Sequence, residues 1–167
     1  MTDAAAGSWI AALPAETEAL AAAFSDTLPP VAEHAAVVHL EGDLGSGKTT
    51  WARGFLQARG VDRVRSPTFP LLETYVLRGL TVAHLDLYRL ADPDEAEALG
   101  LRDLDGAGHL WLVEWPARGA ALLPAPDLVL HFEALPAARR ITARAASPLG
   151  TAWLHGAALR INVSSKV

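Results

Sequence analysis

The chain of 167 residues contains no cysteine. That excludes disulfides, thiolate metal ligands and a cysteine nucleophile, and it suits a reducing compartment. Lysine is nearly absent too. Lys48 and Lys166 stand against twelve arginines, and Asn162 is the single asparagine. No apolar run approaches the ~18 residues of a membrane span. Residues Met1 to Ser8 lack a basic stretch leading into an apolar one, so no signal peptide is expected. A cytoplasmic protein without membrane attachment is the expectation. The 33 alanines and the arginine excess read as compositional background. Against that background, a lysine inside a motif carries information.

The length suits one domain, and a domain of about 150 residues buries ~68–70% of its unfolded surface. The net charge is −5, which argues against free-standing nucleic-acid binding. Between Asp86 and Asp105 lie seven acids and two bases, so this segment carries the whole imbalance (2 − 7 = −5). Such a stretch is either a solvated acidic face or a docking face for a basic partner.

Helical spacing of Leu20, Ala23 and Phe24 predicts a helix over 15–27, ended by Pro29 and Pro30. Val37 to Leu40 is a short apolar strand, 42–47 a glycine-rich loop, and 49–59 a second helix ended by Gly60. Two prolines make Ser66 to Pro70 a loop. Strands are expected at 71–77, 81–85, 110–114, 128–132 and 141–145, with a short helix at 93–99. Alternation of strands and helices predicts an α/β fold with a largely parallel central sheet. One domain is expected over residues 1–146, and the tail 147–167 gives no readable pattern.

Gly42-Asp43-Leu44-Gly45-Ser46-Gly47-Lys48-Thr49 fits G-x-x-x-x-G-K-[ST]. Glycines let successive N–H groups point into one concavity, an anion nest. The following helix offers its free N–H groups and positive dipole end to phosphates. Lys48 supplies a point charge for the β- and γ-phosphates, and Thr49 a hydroxyl for Mg²⁺. Given this composition, a chance match arises in on the order of one chain per thousand. The bland alternative is a strand-to-helix turn with an exposed lysine.

A phosphate loop needs an acid at the end of a neighbouring strand. Asp86 and Glu114 each close a strand, and either one fits a role as Mg²⁺ ligand or as orienter of the attacking water. Each is otherwise a solvent-facing strand end. Thr68 is either a switch residue reaching Mg²⁺ or the γ-phosphate, or a turn hydroxyl serving local backbone. His84 shares the face of Asp86 and reads as a core histidine or a support behind the acid rather than a base. The guanine-selective N/T-K-x-D element is missing, so ATP is expected over GTP. A small-molecule kinase would bring an arginine-bearing lid, whereas the segment after Asp86 is acidic.

Four motifs come in order: the phosphate loop through Thr50, Ser66-Pro67-Thr68-Phe69, His84-Leu85-Asp86-Leu87-Tyr88-Arg89, and Glu114-Trp115-Pro116. Together they resemble the bacterial tRNA threonylcarbamoyladenosine biosynthesis ATPase, the TsaE (YjeE-type) family, over roughly Thr17 to Ala145. The resemblance implies a P-loop NTPase-like three-layer sandwich. It implies an ATPase using ATP and Mg²⁺ that works with two threonylcarbamoyl-transferase proteins of a different fold and meets tRNA only through them. Hydrolysis would reset that complex between turnovers. By position, Lys48, Thr49 and Thr50 would hold phosphate and Mg²⁺, Asp86 the metal, and Thr68 the switch. Glu114 would sit near the γ-phosphate and metal, with Trp115 beside it. Arg140 would lie near the nucleotide and Thr17 near the base. Apart from the resemblance, Arg53, Arg59, Arg63 and Arg65 flank the Ser66 loop with only Asp62 against them, and this patch or the acidic 86–105 segment is expected to contact the partners. Readings outside this family are a small-molecule kinase and a nucleotide-gated binding module with negligible turnover.

Overall fold

The structure, a computed structural model, describes residues 6–67 and 71–164. Thr68 and Lys166 fall outside the described residues. In chain order the elements are β1 (Ala6–Ala11), α1 (Pro14–Asp26), β2 (Ala36–Gly42), α2 (Lys48–Ala58), β3 (Leu72–Leu77) and β4 (Leu80–Asp86). Then come α3 (Pro93–Glu97), β5 (His109–Glu114), β6 (Leu128–Ala134), β7 (Arg139–Ala145) and α4 (Pro148–Ser164). Short 3₁₀ turns occupy Leu101–Leu104 and Pro116–Gly119.

Among the described residues, seven strands form one sheet in the order β1-β7-β6-β2-β5-β4-β3. The central four, β6-β2-β5-β4, are parallel. Both wings are antiparallel, because tight connections return the chain as hairpins, β3–β4 on one side and β6–β7 on the other, with β1 added outside β7. The sheet is therefore mixed, and its parallel part is the part that positions the site. Val37 and Val38 are both buried although they point to opposite faces, as a parallel strand covered on both sides requires.

The two faces are covered unequally. On one, α1, α2 and α4 pack over Leu40, Leu112, Leu130 and Ile141. Phe24, Trp51, Phe55 and Trp153 meet there with ring centroids 5.6–6.3 Å apart. On the other, Val37, Ala83, Trp111 and Val113 are covered by Leu87, Leu90 and Leu101, from a segment holding only the short α3 and a 3₁₀ turn. The third layer is thin because the segment that covers this face forms only short helical turns, although its leucines supply the packing.

Two regions without a sequence reading acquire a place. Residues 6–11 form the edge strand β1, which pairs with β7. Residues 148–164 form α4, whose Trp153, Leu154 and Ala157 are buried in the main core. The Trp153 Nε1–H donates to the Phe24 carbonyl at 2.7 Å. The tail is thus part of the same core as the strands before it. Its signal was weak because apolar residues lie all round the helix.

Candidate functional site

The carboxyl ends of β2, β4 and β5 lie side by side. Leu40 pairs with Glu114, and Glu114 pairs with Asp86. The glycine-rich loop leaves β2 at this edge, beside the point where the chain order diverges between β5 and β6. That is where open α/β sheets bind ligands. Gly42, Gly45 and Gly47 have φ of +144°, +75° and +109°, and the loop delivers the chain into α2 at Lys48. At Gly42 any side chain is strained. A Cβ there would stand 2.4 Å from the Phe132 carbonyl oxygen of β6.

Lys48 is buried. Its ammonium donates to the carbonyls of Gly42 and Asp43, both at 2.7 Å, and lies 3.4 Å from Ser46 Oγ. The Trp115 ring caps it, with Nζ 4.3 Å from the centroid. Trp115 holds a left-handed backbone, φ +57° and ψ +50°, and its ring lies against Tyr88 at 4.9 Å. Burial lowers the Lys48 pKa, and the charges of Glu114, Asp86 and Asp43 oppose that shift.

Thr49 Oγ1 donates to the Glu114 carboxylate, 2.8 Å from Oε2 and 3.0 Å from Oε1. His84 Nε2 lies 2.8 Å from Glu114 Oε1, and both residues are buried. Asp86 is half-buried; its Oδ1 accepts the Tyr88 N–H at 3.0 Å. Burial raises the Asp86 pKa most and the Glu114 charge adds to this, while the Tyr88 N–H, His84 and Lys48 oppose. Around these groups is a cleft of about 350 Å³ lined by Leu44, Gly45, Gly47 to Thr50, Ser66, Asp86, Tyr88, Arg89, Glu114 and Trp115. Small-molecule pockets span ~300–1,000 Å³.

The donors suit a hard cation. Hydroxyl and carboxylate oxygens from Thr49, Asp86 and Glu114 converge, and no cluster of three His, Cys, Asp or Glu exists among the described residues. Such a set does not cage a metal alone. It matches Mg²⁺, which keeps waters and shares one or two carboxylates with substrate phosphates.

Of the residues singled out in the sequence, Lys48, Thr49, Thr50, Asp86, Glu114 and Trp115 line the cleft together. Thr17 is buried on α1 with Leu20 and Phe24 and does not line it. Arg140 is turned to Glu133, at 2.6 Å. Its neighbour Arg139 is the one at the loop, with Nη2 3.4 Å from the Gly45 carbonyl. Adjacent arginines on a strand point to opposite faces, so only the tertiary pairing distinguishes them. Within the expected basic patch, Arg53 pairs with Glu18 and Arg59 with Ser25, while Arg63 and Arg65 are exposed.

The family described as "Threonylcarbamoyl adenosine biosynthesis protein TsaE" matches residues 12–142. A Haemophilus influenzae protein named tRNA threonylcarbamoyladenosine biosynthesis protein TsaE is 44% identical over 71% of this chain and 75% of its own length. A Rickettsia bellii protein of the same name is 38% identical over 75% of this chain and 85% of its own. The crystal structure of Bacillus subtilis YdiB superposes with a TM-score of 0.74 at 28% identity, covering 97% of this chain and all of that one. With a family match over most of its length and a glycine-rich loop, paired strand-end acids and capping tryptophan set on this sheet, the chain belongs to the TsaE family.

Proposed function

We propose that this chain is a Mg²⁺-dependent ATPase serving tRNA threonylcarbamoyladenosine biosynthesis. It acts in the cytoplasm with two threonylcarbamoyl-transferase proteins and reaches tRNA through them. The observation that carries the reading is the convergence of Lys48, Thr49, Asp86 and Glu114 at one sheet edge beside a glycine loop. The TsaE name of its relatives supports the pathway.

The loop N–H groups and the α2 terminus hold the phosphates. Lys48 exchanges its carbonyl partners at Gly42 and Asp43 for phosphate oxygens, which keeps the buried ammonium satisfied. Thr49 donates its hydroxyl hydrogen to Glu114, so its lone pairs turn to the cleft. Asp86 and Glu114 complete the oxygen set. Bound Mg²⁺ would supply charge neutralisation for the transferring phosphoryl group. Water accepts that group, so ATP and water give ADP and phosphate. Trp115 and Tyr88 shield the ammonium side from solvent.

The test is reconstitution with the two transferase proteins, tRNA and Mg-ATP, reading phosphate release and modified adenosine. Glu114→Ala should spare nucleotide binding more than phosphate release. ATP binding with no phosphate release by the wild-type chain under these conditions would instead leave a nucleotide-gated module. A phosphorylated small molecule would mark a kinase.

A further inference from the structure

We propose that His84 is a positioning residue: it fixes the Glu114 carboxylate so that Thr49 presents its hydroxyl oxygen to the cation side of the cleft. This rests on the Mg²⁺-nucleotide reading of the site.

His84 sits in β4, in register with Leu112 of β5 and Glu73 of β3, on a packed face with Leu80 and Val82. It is fully buried. An aliphatic residue is the ordinary occupant of such a position. The histidine brings two polar nitrogens into it. Nε2 meets Glu114 Oε1 at 2.8 Å. A carboxylate only accepts, so Nε2 carries the hydrogen. Nδ1 is buried with no partner among the described residues. A hydrogen bond to a charged group stabilises, and an unsatisfied buried group opposes it by a comparable amount. The cost offsets the gain, so net stability gives little reason for a histidine here.

Geometry does. Thr49 Oγ1 contacts both Glu114 oxygens, at 2.8 and 3.0 Å. A single hydroxyl bridging both oxygens leaves the carboxylate free to tilt. His84 contacts Oε1 from a second, rigid strand and sets the plane. Glu114 then has a fixed acceptor direction for the Thr49 proton. Partners that orient metal-binding groups in this way commonly change metal affinity or activity 10–100-fold.

The experiment compares nucleotide affinity with and without Mg²⁺ for wild type, His84→Leu, His84→Gln, Glu114→Gln and the His84→Leu/Glu114→Gln pair. Glutamine keeps an N–H donor at similar reach; leucine fills the space without one. His84→Leu should lose about 10-fold or more of the Mg²⁺-dependent gain in affinity. Affinity without Mg²⁺ should change little, and His84→Gln should recover most of the loss. In the Glu114→Gln background the leucine substitution should add nothing, because a residue acting through Glu114 has nothing left to position. Thermal unfolding checks that each variant folds. A second readout needs no nucleotide: ¹⁵N NMR of the free chain should show His84 protonated at Nε2, with that signal shifted by Glu114→Gln. Additive losses in the pair, equal loss for leucine and glutamine, or an NMR signal indifferent to Glu114 would each overturn the assignment. A wild-type chain that gains no affinity from Mg²⁺ would overturn the metal reading beneath it, before any variant is compared.

Discussion

Replacing Gly42 by alanine tests whether the loop is built as described. Gly42 has φ +144°, and the new Cβ would stand 2.4 Å from the Phe132 carbonyl oxygen and 2.8 Å from Ser46 Oγ. Ser46 can rotate away. The Phe132 carbonyl cannot, because Phe132 is held in β6 opposite Gly42. Backbone strain costs about 1–3 kcal/mol, and a forced overlap with fixed backbone about 1–3 kcal/mol more. A central sum of about 4 kcal/mol lowers Tm by roughly 8–16 °C in a domain of this size. Gly45 is the control. Its φ is +75°, but nothing lies within 4 Å of its Cβ position. Gly45→Ala therefore meets only the left-handed backbone cost of about 1–2 kcal/mol, or roughly 2–8 °C. Scanning calorimetry of both variants, with titration of ADP by isothermal calorimetry, reads the difference. Gly42→Ala should also weaken ADP binding, since the Gly42 carbonyl is a Lys48 partner. Equal losses of stability in the two variants would refute the Phe132 contact as the constraint.

Lys48→Ala should weaken Mg-ATP binding by about 10²-fold or more, from two lost charge-assisted bonds at ~1.5–3 kcal/mol each. Lys48→Arg should not restore it, because a planar guanidinium does not replace a point charge packed under Trp115; wild-type affinity in either variant would contradict the site. Asp86→Asn should raise the Tm of the metal-free chain at neutral pH. The folded pKa of Asp86 is raised by burial, so its contribution is present below the ordinary value of about 3.9 and is lost as pH rises through the folded value. The difference between wild type and variant should vanish in acid, and a lower Tm for the variant at pH 7 would reverse the sign. Trp153→Ala should cost about 3–5 kcal/mol, as for other fully buried aromatics, and lower Tm by roughly 6–20 °C. A small change would separate α4 from the core.

Local chemistry was legible wherever it depends on residues adjacent in the chain. The glycine loop and Lys48 announce themselves because each glycine answers a backbone need and lysine is otherwise nearly absent. Helical spacing located α1, the glycine punctuation α2, and apolar runs the parallel strands. Pairing across the sheet was not legible. Nothing in residues 84 and 114 taken separately says that His84 and Glu114 touch; the β4–β5 register decides it. Arg139 and Arg140 are neighbours of the same type, and only the pairing of β7 with β1 and β6 aims one at the glycine-rich loop and the other at Glu133.

By itself, then, the sequence determined the glycine-rich loop with its lysine, the two acids that close strands, the α/β alternation and the resemblance to the TsaE family. Those features rest on backbone conformation and local spacing, which neighbours in sequence control. Only the tertiary structure decided that β1 and α4 complete the fold, that the helical layer is thick on one face and thin on the other, and that His84 stands behind Glu114. These depend on contacts between residues far apart in the chain. Register and burial set them, and local spacing carries no record of either.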